Sequence, residues 1–286
     1  MKIRRFETNP IIRPEMDERM GSNINGPSLI RVPDWIENPL GKYYLYFGHH
    51  QGTYIRLAYA DELVGPWQTY EQGSIQLEDS YCQGHIASPD VKIDDQEQRL
   101  RMYYHGPLKG HGQISRVAVS NDGIQFDCFD EILGVSYFRV FDWDGDVYAL
   151  AMPGIFYRSK DGFTDFKQGP TLFTPNMRHL ALKLRGNNLY VWYSNAFDCP
   201  ERILLSTIDL TEDWWAWEET EPVTFLSPEE EYEGAETPPA PSMRGAVHVR
   251  ARQLRDPGIF EEDGRTYLLY SVAGEHGIAI AEIEDT

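Results

Sequence analysis

Hydrophobic and polar positions alternate along most of the chain, and the alternating runs come in matched pairs. In 255–271, RDPGIFEEDGRTYLLYS, an apolar run opened by Asp256-Pro257 passes through an acidic Asp-Gly turn into a second run of aromatic and aliphatic residues. Two period-two runs joined by such a turn predict a β-hairpin. The pattern recurs at 27–48, 88–106, 136–152 and 178–194, which makes five copies. A third strand follows each of the first four, at 55–67, 115–126, 156–166 and 203–217. These strands share an order: alternating residues, a small residue, Asp with Gly or Leu, then an aromatic. After the fifth copy only GIAIAEI (277–283) remains. No long helix is predicted, because apolar residues recur at period two and Gly or Pro interrupts nearly every helical window.

A unit of three strands with an outer fourth, repeated every ~40–60 residues, marks a β-propeller blade. The expected fold is all-β: one five-bladed β-propeller over 1–286, with blades of four antiparallel strands around a central channel. The blades fall roughly at 25–70, 86–128, 134–170, 176–220 and 254–286, and 221–253 forms a long connection between the last two. The fifth blade is one strand short, so an N-terminal strand is expected to complete it, with Asn9-Pro10-Ile11-Ile12 as the candidate. The stretch 218–253 is acidic, then Pro-rich, then basic. It either runs over the surface or folds across the channel mouth and adds residues there.

Composition narrows the partners. Apolar residues make up 41% of the chain and aromatics 13%, enough for a sizeable core. A formal charge of −19 repels phosphate at long range, which argues against nucleic acid and anionic membrane as partners. There is no run of 18 apolar residues, and the N-terminus MKIRRFETNPIIRP lacks the apolar core of a secretory signal. Cys82, Cys128 and Cys199 show no zinc-type spacing and read as free thiols. A cytoplasmic protein is the expectation.

Asn9-Pro10-Ile11-Ile12, Pro27–Gly48, Gly65-Pro66-Trp67, Ser88-Pro89-Asp90-Val91, Ser120-Asn121-Asp122-Gly123 and Arg255-Asp256-Pro257 occur in the order seen in one group of enzymes. In these segments the chain resembles the five-bladed glycosidases, the superfamily of glycoside hydrolase families 43, 32, 62, 68, 117 and 130, over nearly its whole length. The resemblance implies catalytic carboxylates at the starts of the innermost strands. In family 43 these are an Asp general base in blade one, an orienting Asp in blade three and a Glu general acid in blade four. The matching positions here are Gly26, the neighbourhood of Ser136, and Arg178-His179, and none is a carboxylate. The family 43 mechanism does not carry over. The resemblance requires no cofactor and permits a structural calcium ion in the channel; the sequence itself shows no metal motif.

The carboxylates left at inner-strand starts are Asp90 in blade two and Asp256 in blade five, expected to face each other across the mouth. Glycoside cleavage needs one carboxyl to protonate the leaving oxygen and one to activate water or attack carbon. The competing reading makes each a turn residue bonded to backbone amides. His85 and His179 are candidate acids, since family 117 uses a His in that role. Arg178, Arg244 and Arg255, with His248, suit an acidic group on the substrate, against ordinary ion pairing with Glu229–Glu236. Tyr137 is placed to stack on a sugar face, Asn25 lies beside the vacated blade-one position, and Glu236 is a spare acid if the loop covers the mouth. The leading expectation is a glycoside hydrolase acting on a small, acidic oligosaccharide. The alternatives are a sugar-binding propeller without catalysis and a phosphorylase resembling family 130.

Overall fold

In the computed structural model, which describes residues 1–211 and 213–284, five small antiparallel sheets stand in a ring around an axis. Strand β1 (Lys2–Arg5) comes first in the chain but belongs to the last blade. Blade one holds β2 (Asn25–Arg31), β3 (Tyr43–Gly48), β4 (Arg56–Ala60) and β5 (Gln68–Tyr70). Blade two holds β6 (Ala87–Asp94), β7 (Arg99–Leu108) and β8 (Gly112–Ser120), with its outer edge split between β9 (Asp127–Cys128) and β10 (Gly134–Val135). Blade three holds β11 (Arg139–Trp143), β12 (Asp146–Ala151), β13 (Ile155–Ser159) and β14 (Lys167–Thr171). Blade four holds β15 (Met177–Arg185), β16 (Asn188–Asn195), β17 (Ile203–Asp209) and β18 (Val223–Leu226). Blade five holds β19 (Arg255–Glu262), β20 (Arg265–Ser271) and β21 (Ile278–Glu284), and β1 closes it with Lys2 opposite Glu284 and Arg5 opposite Ala281. This is the five-bladed propeller that the repeats predict.

Two boundaries differ from expectation. The closing strand is Lys2–Arg5, not Asn9–Ile12. Asn9 instead clamps Ile280 through both backbone groups, at 2.8 and 2.9 Å, and Ile12 bridges to Ile278. Blade four runs on to Leu226, into the stretch expected to be loop, because Val223-Thr224-Phe225-Leu226 alternates well enough to pair with β17.

Strand alternation becomes core at the seams between blades. In β3, Tyr43, Leu45 and Phe47 pack toward blade five, while Tyr44 and Tyr46 pack toward blade two. All six residues of the strand are therefore buried, and its sequence, YYLYFG, is almost wholly apolar or aromatic. The hydrophobic clusters follow the five seams. Hydrogen bonds pin two seams further. Tyr46 Oη donates to the Gly123 carbonyl at 2.7 Å, and Tyr103 Oη donates to the Gly162 carbonyl at 2.9 Å. Both acceptors sit in Ser-x-Asp-Gly turns whose Asp side chain takes backbone N–H groups, as at Ile124 and Phe163. The repeated "small residue, Asp, Gly" of the sequence is this clasp.

Candidate active site

The innermost strands arrive at the channel mouth with a shared irregularity. β2, β6, β15 and β19 each carry a bulge near their first residues. One residue per blade adopts positive φ there: Gly26 (63°), Ser88 (52°), Tyr137 (71°), His179 (49°) and Asp256 (46°). Four of the five carry side chains, and left-handed backbone costs an L-residue ~1–2 kcal/mol. Such strain collects at functional sites. These residues form a first ring. Two positions further along, Ser28, Asp90, Arg139, Ala181 and Gly258 line a cavity on the axis below it and form a second ring.

Asp256 is the only carboxyl of the first ring. It is 1% exposed; its Oδ1 accepts from Tyr137 Oη at 2.8 Å, and its Oδ2 has no hydrogen-bond partner. His179 Nδ1 lies 3.7 Å from that oxygen and is also unpartnered. Burial, with the charge of Glu275 nearby, raises the Asp256 carboxyl to about 6. His179 is held well below the usual imidazole range by burial and by the neighbouring Arg178 and Arg255, so it stays neutral. The His105 ring is 5.9 Å from Tyr137, and the Tyr137 ring is 5.5 Å from His179. Unpartnered buried polar atoms gather here: Asn25 Oδ1, His105 Nδ1, His179 Nδ1 and Asp256 Oδ2. Such atoms are costly unless something binds them.

Behind the ring runs a buried chain of ion pairs. Arg178 Nε donates to Glu201 Oε1 at 2.9 Å, and Ser194 Oγ donates to the same oxygen at 2.7 Å. Arg255 Nε lies 3.2 Å from Glu201 Oε2, and its Nη1 donates to Glu275 Oε1 at 3.1 Å. Glu275 Oε2 then meets His50 Nδ1 at 3.0 Å and takes the Val247 N–H at 3.1 Å. Burial works to raise Glu275, but His50 and Arg255 outweigh it and hold the carboxyl at about 2. Burial likewise pulls His50 down, and the bond to Glu275 carries it above its ordinary value. Glu201 and Glu275 both sit in loops between the second and third strands of their blades. Sequence reasoning missed them; the signal was an acid soon after a second strand, on the same face as the mouth.

The expected site residues sort into three groups. Asp256, His179 and Tyr137 come together at the axis, and Asn25 joins their rim, its Nδ2 bonded to Asn23 Oδ1 at 2.9 Å and lying 3.0 Å from His50. Arg178 and Arg255 are buried behind the mouth residues. They are 3% and 0% exposed, and Glu201 and Glu275 engage them. Asp90 belongs to the second ring, not the first: its Oδ2 accepts the Val140 N–H at 2.9 Å, and Lys92 Nζ lies 3.3 Å from Oδ1. The mismatch has a simple cause. In blades one, two and five the first-ring residue is the one before a proline, so Ser88, not Asp90, corresponds to Asp256.

The remaining residues lie on the rim. His85 is half-buried beside Gln113, 3.3 Å away, and burial lowers it, with His50 adding to the effect. Burial and nearby charges, His248 among them, lower His49 to about 4. Arg244 is exposed, donates to the Pro175 carbonyl at 2.6 Å and lies over the exposed Phe197 ring at 5.8 Å. Glu236 pairs with Arg250 at 2.7 Å on the surface, away from the axis residues. The loop bearing Arg244, His248 and Glu236 touches three consecutive blades, four, five and one. Ser242 N–H donates to the Asp198 carbonyl at 3.0 Å, Asn23 Nδ2 to the Val247 carbonyl at 3.2 Å, and Arg255 Nη1 to the Gly245 carbonyl at 3.1 Å.

Calcium needs about six to eight oxygen ligands. The charged groups around the axis cavity are two cations, Lys92 and Arg139, and a single carboxylate, Asp90. This donor set does not fit calcium. Among the described residues no cluster of three or more His, Cys, Asp or Glu is placed to hold a metal ion.

The chain is 37% identical over 318 aligned positions to an uncharacterized protein of Acanthamoeba polyphaga mimivirus, covering 98% of this chain and 89% of the viral one. No known family profile matches the sequence. Solved structures share the fold at low identity. A family 43 β-xylosidase/α-arabinofuranosidase from a compost microbial metagenome, in complex with xylotriose, superposes with a TM-score of 0.66 at 14% identity, covering 99% of this chain and 96% of the other. An α-L-arabinanase of Cellvibrio cellulosa complexed with arabinohexaose gives 0.62 at 12%, covering 92% and 93%. No helix among the described residues is long and apolar enough to cross a membrane.

Proposed function

The chain belongs to the family of the mimiviral protein, and for it we propose cleavage of a glycosidic bond in a small saccharide at the channel mouth, with Asp256 as the group that moves the proton. One observation carries this reading: the lone first-ring carboxyl is fixed through one oxygen and unpartnered at the other, with a pKa raised to about 6. An acid poised near the working pH is what proton transfer to a leaving oxygen requires. Tyr137 is held protonated by burial, so it remains a donor and orients the carboxyl. Neutral His179 adds a polar edge without competing for the proton. His49 and His85, both lowered by burial, are unprotonated at neutral pH and are the acceptors available for an attacking water. An acidic group on the saccharide would meet Arg244 on the rim, since Arg178 and Arg255 are engaged elsewhere.

A second reading, sugar binding without catalysis, has its own support. The first ring holds one carboxyl where hydrolysis ordinarily uses two, and Glu275 is locked by Arg255 and His50. A panel of aryl glycosides and oligosaccharides separates the two. Asp256→Asn should lower turnover by ~10²–10⁴-fold while sugar affinity measured by calorimetry stays level. Calorimetric binding with no product from the unaltered protein would establish the second reading instead. Release of a sugar 1-phosphate only when phosphate is present would move the assignment to a phosphorylase.

A further inference from the structure

The second ring has an unbalanced charge and an unsatisfied donor, and neither takes part in the proposed reaction. Its cavity, of about 20 Å³, is lined by Ser28, Asp90, Lys92, Arg139, Ala181 and Gly258 among others. A volume of ~10–15 Å³ is enough for one water-sized species. Three of the ring's side chains link a blade to the next. Ser28 Oγ accepts the Val91 N–H at 2.9 Å, Asp90 Oδ2 accepts the Val140 N–H at 2.9 Å, and Arg139 Nε donates to the Leu180 carbonyl at 3.1 Å.

Arg139 is 3% exposed, and its guanidinium is nearly saturated. Nη1 donates to the Ser88 and Phe138 carbonyls, both at 3.1 Å, and the group lies over the Tyr137 ring at 4.2 Å. Nη2 alone has no acceptor. Lys92 is the only other cation on the wall, and Asp90 the only anion. A buried donor on a cation without an acceptor is costly, more so than a neutral one. Ala181 and Gly258 offer no side-chain acceptor. The wall lacks one negative charge.

We infer that this axis cavity binds a single halide-sized anion, chloride in solution, which accepts from Arg139 Nη2 and balances Lys92 and Arg139 against Asp90. The size admits a monatomic ion. The site is independent of the proposed cleavage and stands whether or not the mouth is catalytic. The anion joins Lys92 of blade two to Arg139 of blade three at the axis, and so adds to the bonds that already tie blade to blade there.

Two measurements test it. Crystals soaked in bromide should show an anomalous peak within hydrogen-bonding distance of Arg139 Nη2. Axis density without anomalous signal identifies a water and overturns the proposal. Thermal unfolding at fixed ionic strength should show a rise in melting temperature with chloride that gluconate does not reproduce, and an equal response to both anions also overturns it. Arg139→Gln should abolish the chloride response. Arg139 is also a seam residue whose variant can fail to fold, so Lys92→Gln, at a partly exposed side chain, provides the second variant. It should raise the half-saturating chloride concentration about tenfold, as loss of one nearby charge implies, and an unchanged midpoint in that variant counts against the site.

Discussion

Gly26 in blade one and Asp256 in blade five occupy the same place in their strands, at φ 63° and 46°, each just before a proline. Their surroundings differ. A Cβ built on Gly26 would meet the Ser88 Cα at 2.8 Å, with the Ser88 side chain close behind. At Asp256 the chain has room for a carboxyl, a tyrosine to hold it and a second buried acid to raise its pKa. The blade-one position is therefore closed by backbone here, not merely without a carboxyl. Of these two positions only Asp256 can carry a proton. The repeat supplies a common backbone, and the neighbours of each blade decide what that backbone can carry.

The strongest way to break this contrast lies behind blade five. Glu201 joins Arg178 of blade four to Arg255 of blade five without access to water. Removing its charge takes from buried Arg178 the carboxylate that pairs it and leaves Arg255 to Glu275. Glu201→Gln should lower the unfolding free energy by ~3–5 kcal/mol, read from urea denaturation. A loss within ~1 kcal/mol, the range of an exposed pair, would show that water reaches the chain of ion pairs and that blade five is no more rigidly supported than blade one.

Blade one can be tested by the smallest possible addition. Gly26→Ala places a methyl against the Ser88 backbone at a positive φ. The conformational part costs ~1–2 kcal/mol, and overpacking adds ~1–3 kcal/mol. The sum, seen in the same denaturation experiment, should approach that of Glu201→Gln without altering any charge. If Gly26→Ala is neutral, the Ser88 strand yields, the blade-one position is open, and Gly26→Asp becomes a legitimate route to restoring a second carboxyl.

The difference between the two blades also explains how much the sequence revealed. Period-two runs and Asp-Gly turns identify five blades because the second strand of each blade is largely buried between its neighbours, a constraint every copy shares. β1 escapes that pattern because Lys2–Arg5 is three cations around a single Ile, at an edge where burial constrains the sequence least. The ring was harder to read. Matching copies by the letter Asp pairs Asp90 with Asp256, whereas matching by the residue before proline pairs Ser88 with Asp256. Arg178 and Arg255 read as substrate ligands because their partners, Glu201 and Glu275, lie 23 and 20 residues away in loops with no repeat pattern. Partnership across a fold of this kind is set by the ring geometry, which composition and spacing do not encode.

The finest test uses pH to separate Asp256 from the ion pairs behind it. Its folded pKa of about 6 lies above the ~3.9 of an unfolded aspartate. The folded state therefore holds that proton more tightly. The stability this gives is complete below about pH 4 and is lost as pH rises through about 6. Glu275 behaves in the opposite sense: held at about 2, it stabilises above the ~4.3 of a free glutamate, and the gain disappears only as pH falls through about 2. Between about pH 4 and 7.5 Glu275 stays essentially ionised, and Asp256 alone titrates of the two. An asparagine in place of Asp256 would keep the shape of the protonated carboxyl and never ionise. Asp256→Asn should thus match the unaltered protein near pH 4 and exceed it at about pH 7.5 by ~1–3 kcal/mol, a substitution that stabilises while it lowers turnover. Parallel stability curves for the two proteins across this range would mean that Asp256 ionises as freely as a surface residue, and the contrast with Gly26 would reduce to the space available for a side chain.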